Sequence, residues 1–168
     1  MSTKFFGRTR ARSQALQLLF QAEATNRTVT EVLGGDYTLS DGPLDEYAQE
    51  LAVGTDAIRD NLDSIIASYA KDWALDRMPS VDRNLLRISL YEILEVSEVD
   101  TAVAINEVVD LARAYCGADS PRFINGVLGC IVDSLEAGKD FSVLCTSEET
   151  EEVRNADMLV ESSKEDIE

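Results

Sequence analysis

Apolar positions recur every three or four residues along most of the chain, and no stretch alternates with a period of two. Over residues 8–25, Ala11, Ala15, Leu18, Leu19 and Ala22 share one helical face, with Arg10, Gln14, Gln17 and Gln21 as a polar stripe opposite. Thr28-x-x-Glu31 spells a capping box for a short second helix that Gly34-Gly35 stops. Residues 35–43, rich in Gly, Asp and Pro, read as a loop. A longer helix is predicted over 44–71, with Leu51, Ile58, Leu62, Ile65, Ile66 and Tyr69 on its buried side. Pro79 ends any continuation, because it lacks an amide hydrogen and restricts Met78 before it. Ser80 then reads as the N-cap of the next helix, with Asp82 near its positive end.

Residues 81–96 are apolar nearly all round, the mark of a central helix packed on several sides. Asp100-Thr101 caps a helix over 102–116, with Ile105, Val108, Val109, Ala112 and Tyr115 facing in and Gly117 as a left-handed cap. Ser120-Pro121 opens a last helix, which carries Phe123, Ile124, Val127, Leu128, Ile131, Val132 and Leu135 to about residue 137. Gly126, Gly129 and Cys130 give it a small-residue face that would let another helix approach closely. The fold class expected is all-α, a compact bundle of six to seven helices.

Composition narrows the chemistry. The 168 residues are 45% apolar, enough for one domain with a core, and no apolar run approaches the ~18 residues that span a bilayer. Histidine is absent, which removes His-based acid–base catalysis, Ser-His-Asp and Cys-His pairs and imidazole zinc sites. Cys116, Cys130 and Cys145 form no CxxC pair and fit a reducing compartment. The first eight residues hold no apolar stretch of signal-peptide length. The expectation is a cytoplasmic protein without catalytic residues, cofactor, metal or membrane partner.

Charge is unevenly spread. Residues 1–27 carry +4, residues 28–135 carry −13 and residues 136–168 carry −8, within a total of −17. From Thr146 onward there are 9 acids, 2 bases and no aromatic residue, so this segment reads as a disordered acidic tail, with Met158-Leu159-Val160 its one apolar patch. The domain division expected is a flexible basic arm over 1–7, a helical domain over 8–137 and the acidic tail over 138–168. A basic start on an acidic body suits a polyanion, because the local field and not the net charge attracts it. Arg8, Arg10 and Arg12 supply cations, and Phe5 and Phe6 could supply rings for unpaired bases. Gln14 stands beside the arginines as a long amide able to bond bases or phosphates, while Gln17 and Gln21 read as ordinary surface residues. Arg122 stands at a helix start, where free N–H groups also favour phosphate. Phe123 reads first as a packing ring. Asn106 and Asn125 read as buried amides, and Glu107 as an ion-pair partner for Arg83 or Arg87.

Four segments in order carry a resemblance. They are Arg10-Ala11-Arg12 with Ala15-Leu16-Gln17-Leu18-Leu19-Phe20, Val81-Asp82-Arg83-Asn84-Leu85-Leu86-Arg87, Ala104-Ile105-Asn106-Glu107-Val108-Val109-Asp110-Leu111-Ala112, and Phe123-Ile124-Asn125-Gly126-Val127-Leu128-Gly129. Together they resemble the NusB family of transcription antitermination factors, over residues 8 to about 137. The resemblance implies an all-helical, non-catalytic protein. It implies binding of the single-stranded boxA element of nascent RNA together with a small basic ribosomal protein, NusE, and loading of the pair onto transcribing RNA polymerase. By the same resemblance, Arg8, Arg10 and Arg12 match the arginine-rich start. Asp119, Ser120, Arg122 and Phe123 match an RNA-proximal loop, and Asp76 and Asp82 match acidic contacts to NusE. Thr9 between the arginines and the segment beyond residue 137 depart from the family pattern.

The charge balance predicts weak, salt-sensitive RNA binding by the chain alone, strengthened by a basic partner that neutralises the acidic body. The leading arginines and the start of the last helix are expected to form one cationic corner. The rival reading is a helical protein-interaction module with no direct RNA role. An accessory domain of an RNA methyltransferase is a further alternative, without the glycine-rich nucleotide loop or Pro-Cys nucleophile such an enzyme needs. A hydrolase built on paired carboxylates is a third, although no spacing singles out a pair. Small residues on the first and last helices would also serve a homodimer.

Overall fold

The helix that is apolar on every side becomes the axis of the bundle. A computed structural model describes residues 5–142. In it α5 (Ser80–Glu95) packs against α1 (Gly7–Thr25), α3 (Glu46–Ala57), α4 (Arg59–Tyr69), α6 (Thr101–Tyr115) and α7 (Ser120–Glu136). A short α2 (Val29–Leu33) leans on α1 and α3, and Leu75–Arg77 forms a 3-10 turn ahead of α5. Leu85, Leu86, Ile88 and Leu90 of α5 are completely buried, and Leu18, Leu62, Val108, Ile124, Leu128 and Ile131 close around them. The described residues contain no strand. Residues 1–4 of the expected arm, Cys145 and the acidic segment with Met158-Leu159-Val160 lie outside the described residues.

Side-chain caps start three of the seven α-helices among the described residues. Thr28 and Glu31 close the capping box, with the Thr28 N–H donating to Glu31 Oε2 at 2.7 Å and the Glu31 N–H to Thr28 Oγ1 at 3.2 Å. Asp45 caps α3 through the Tyr47 N–H, and Asp100 caps α6 through the Ala102 N–H, both at 2.9 Å.

Several expectations change in the fold. The predicted helix over 44–71 is two helices, broken at Ile58 (φ −114°, ψ 25°). The physical reason is packing. α3 lies on α1 and α5, whereas α4 must reach α5 and α7, and one straight rod cannot serve both faces. Ser80 is the first helical residue of α5, not its cap. Pro79 takes the cap position with extended backbone (φ −53°, ψ 143°). Gly117 is not a left-handed cap either, since α6 ends at Cys116 in extended geometry. The left-handed cap belongs to Asn26 (φ 51°), which closes α1 onto the Ala22 and Glu23 carbonyls. The small-residue face of α7 meets no helix among the described residues. A Cβ built on Gly126 or Gly129 finds nothing within 4 Å. Asn106 and Asn125 are exposed, not buried amides. Tyr115, expected to face in, is 43% exposed.

A partly buried ionic cluster ties α1, α4 and α5 together. Arg87 of α5 forks onto Asp63 of α4 at 2.6 and 2.7 Å and reaches Glu23 of α1 at 2.9 Å. Arg83 also binds Glu23 and donates to the Leu75 and Met78 carbonyls at 2.9 and 3.0 Å, which pins the 3-10 turn. Burial raises the pKa of Glu23, but hydrogen bonds from Arg83, Ser80 and Arg87 outweigh it and hold the carboxyl at about 2. Arg83 and Arg87 therefore serve Glu23 and Asp63, and the expected pairing of either with Glu107 does not form.

Candidate nucleic-acid and partner interface

The leading arginines of α1 meet three different fates. Arg8 is exposed, with its guanidinium carbon 4.8 Å from the centre of the Tyr47 ring. Arg10 is half-buried, with Nη2 3.6 Å from Asp45 Oδ2. Arg12 is only 2% exposed. Its Nε and Nη2 fork onto Glu92 of α5 at 2.6 and 2.7 Å, and its Nη1 reaches Glu107 of α6 at 3.3 Å. The expectation of Arg12 as an RNA-contacting cation is therefore corrected: in this conformation it joins α1 to α5 and α6 inside the protein. The signal was present in the sequence. Arg12 has Ala15, Leu16 and Leu19 at i+3, i+4 and i+7, and so lies on the apolar face of α1.

Gln14 is corrected in the same way. It is fully buried, donates to the Asp41 and Pro43 carbonyls at 2.9 and 3.0 Å, and accepts the Asp45 N–H at 2.9 Å. Gln17 accepts the Ser40 N–H at 2.8 Å. Gln21 accepts the Thr38 N–H at 3.0 Å and donates to the Thr38 carbonyl at 2.8 Å. The polar stripe is thus a ladder of amides that ties the loop after α2 to α1. A loop with no regular structure must place its backbone groups somewhere, and here they go to glutamines.

At the other site Asp119 and Arg122 are exposed, and Ser120 is buried at the first position of α7. The Asp119 side chain makes no capping bond. Phe123 is half-buried, edge-on to Trp73 with ring centres 5.1 Å apart. Arg122 and Phe123 line a groove with Tyr69 and Lys71, which come from the end of α4. This groove therefore sets two cations beside aromatic faces, with the carboxylates Asp72 and Asp119 on the same lining.

Arg8 and Arg122 line different hollows of the surface. Arg8 lines a cleft with Tyr91, Glu95 and Glu98 at the C-terminal end of α5. Asp82, in the first turn of α5, lies beside Cys116 ahead of α7. Thirteen residues of helix separate Asp82 from Glu95, roughly 20 Å at ~1.5 Å per residue. Tyr115 lies between the sites. Its hydroxyl is 2.8 Å from Ser13 Oγ, and its ring is 6.0 Å from Phe5, centre to centre. Gly7 at φ 54° turns residues 5–6 back from α1, a conformation that suits glycine. Phe6 is left 77% exposed.

Asp76 is exposed on the 3-10 turn, free to meet a partner. Asp82 is corrected as a partner contact. It is 2% exposed and faces Cys116, and its Oδ2 has no hydrogen bond among the described residues. Burial, then the hydrogen bond to Asp82 and its charge, push the Cys116 thiol up to about 12. Sequence reasoning missed a groove on the same side of the bundle. Leu16, Phe20, Val81 and Tyr115 line it, with Gln17, Gln21 and Thr38 at its edge. Phe20 is 44% exposed there, a large apolar surface with nothing over it among the described residues. Among these residues no group of three or more acidic, Cys or His side chains is arranged to hold a metal ion. No described helix is long and apolar enough to cross a membrane.

Exposed cations beside rings, an open apolar groove and an acidic body are the surface features of an all-helical binding protein. The NusB family model matches residues 9–133. A curated relative, Transcription antitermination protein NusB of Salinispora arenicola (strain CNS-205), is 50% identical over 129 residues, which is 75% of this chain and 95% of the relative. The solved structure of T. maritima NusB superposes with a TM-score of 0.64 at 30% identity, covering 77% of this chain and 93% of its own. A crystal structure of the antitermination factors NusB and NusE in complex with dsRNA gives a TM-score of 0.63 at 25% identity, over 76% of this chain and 96% of the matched one. The chain belongs to the NusB family of transcription antitermination factors.

Proposed function

We propose that this protein binds the single-stranded boxA element of nascent, chiefly ribosomal, RNA jointly with the ribosomal protein NusE. The pair then joins transcribing RNA polymerase in the cytoplasm and helps it read through terminators. The protein does no covalent chemistry in this role. Residues 8–137 are the binding unit, flanked by the basic arm and the acidic segment.

The observation that carries this reading is the apolar groove of Leu16, Phe20, Val81 and Tyr115, on a surface that also exposes Arg8 and Arg122 beside aromatic rings. Arg8 and Arg10 serve one stretch of backbone phosphate. Arg122, with Asp119, the Ser120 N–H and the Phe123 ring, serves unpaired nucleotides. Arg12 and Gln14 act from inside, by holding α1 and its loop. NusE takes the groove, with Asp76 meeting its positive charge. A solved assembly of NusB, NusE and double-stranded RNA supports joint binding of RNA and NusE, because it joins an RNA and that protein on a like fold.

The test is titration of a boxA-type oligomer into the chain, with and without NusE, across a salt series. Affinity is expected to rise sharply with NusE, and the salt slope to steepen as the partner adds its own phosphate contacts. Equal affinity in both arms would sink the joint-binding reading. Unchanged RNA binding after Arg8→Ala with Arg10→Ala would favour the interaction-only module. A homodimer is the competing use of the groove, and sedimentation of the Phe20→Asp variant separates the two. It removes NusE binding in either case, and shifts the mass of the chain alone only if a second copy sits there.

A further inference from the structure

Two arginines of α1, Arg8 exposed and Arg10 half-buried, lean on one short segment that no sequence pattern marks. Asp45 and Tyr47 stand at the start of α3, and Asp45 Oδ1 accepts the Tyr47 N–H at 2.9 Å. The other Asp45 oxygen faces Arg10 at 3.6 Å, and the Tyr47 ring lies under Arg8 at 4.8 Å. The segment is clamped on both sides. Gln14 Oε1 accepts the Asp45 N–H at 2.9 Å, and the Tyr47 hydroxyl donates to Glu92 Oε2 at 3.0 Å. Glu92 is itself fully buried and gripped by Arg12. Burial and the neighbouring Glu92 carboxylate push the Tyr47 phenol up to about 12, so it stays a donor.

We infer that the Asp45–Tyr47 segment is a cradle that sets the direction of the Arg8 and Arg10 side chains, with Tyr47 a positioning residue for RNA binding. Arg12 acts on the RNA site through Glu92 and Tyr47, not by contact. The inference rests on the proposed role of Arg8 and Arg10 as phosphate contacts. Its physical basis is preorganisation. A free arginine side chain loses rotamer freedom when it grips a phosphate, and a guanidinium already flat on a ring has less to lose. The surroundings make the ring necessary. Glu50, Glu95 and Glu98 line the same cleft and would draw an unsupported guanidinium away from solvent.

A double-mutant cycle on the full chain tests this, read as affinity for a boxA-type oligomer at fixed salt, with circular dichroism as the folding control. Arg8→Ala and Tyr47→Leu are each expected to weaken binding about threefold, the scale of an exposed cation–ring contact. The double variant should bind no more weakly than Arg8→Ala alone. Tyr47→Phe keeps the ring but cuts its bond to Glu92, and should lose part of the affinity that Tyr47→Leu loses. The Arg8 side-chain protons should show an upfield ring-current shift in the wild-type chain, a reading that needs no variant to fold. A Tyr47→Leu loss that persists undiminished beside Arg8→Ala overturns the cradle, and so does a gain in affinity, which would mean that the ring sequesters Arg8. Absence of the ring-current shift overturns it as well. If Arg8→Ala itself leaves RNA binding unchanged, the phosphate role of Arg8 fails first, and the cradle falls with it.

Discussion

α1 and α7 carry similar polar residues and use them in opposite ways. α1 is fastened along its whole length by polar bonds, from Arg12 to Glu92 near its start, through the glutamines to the loop, to Glu23 with Arg83 and Arg87 near its end. α7 is fastened by apolar side chains, with Ile124, Val127, Leu128 and Ile131 buried and no ion pair from Arg122 among the described residues. Polarity on α1 therefore builds the fold, and polarity at the start of α7 remains available to a ligand. The difference follows from position. α1 lies beside α5 and α3, where charged partners on other elements are within reach, whereas Arg122 in the first turn of α7 is exposed and forms no ion pair among the described residues.

The largest expected effect comes from breaking the inner bond of α1. Arg12→Ala leaves the Glu92 carboxylate buried without its fork and should cost ~3–5 kcal/mol in urea unfolding. Pairing Arg12→Met with Glu92→Leu should recover most of that loss, because two apolar groups leave no stranded charge. A wild-type midpoint for Arg12→Ala would mean that α1 is held as α7 is.

A smaller effect comes from acid. Glu23 titrates in the folded chain at about 2, against 4.5 for an ordinary glutamate. A lowered carboxyl pKa contributes stability above the unfolded value, and this is lost as the pH falls from about 4.5 through 2. With Glu23 26% exposed, the loss should be on the order of 2 kcal/mol after allowing for solvent screening. Glu23→Gln should flatten that part of the stability–pH curve.

The smallest effect belongs to α7. Arg122→Ala should leave stability within ~0.5 kcal/mol of wild type and lower the RNA salt slope by up to ~0.7, the value of one single-strand phosphate. A stability loss like that of Arg12 would erase the contrast between the two helices.

Much of this was legible in the chain. The apolar period located the long helical segments, with 44–71 read as one helix where the fold has two, because burial of one face is a local pattern. The Thr28–Glu31 box, the Asp100 cap and the all-apolar central helix are written in neighbouring residues, and each folds as read. The break at Ile58 was not legible, because it depends on where α7 lies. Phe20 and Tyr115 were hidden as site residues because an aromatic at helical spacing reads as core.

Sequence alone determined the helices, their order, the acidic body with its basic start, and the family. Tertiary structure alone decided which polar residues face a ligand. Arg8 and Arg12 are the same residue type one helical turn apart, yet one lies open on Tyr47 and the other is sealed against Glu92. Arg12 can be buried because Glu92 and Glu107 from distant segments meet it with good geometry, and that meeting is a property of the packed bundle.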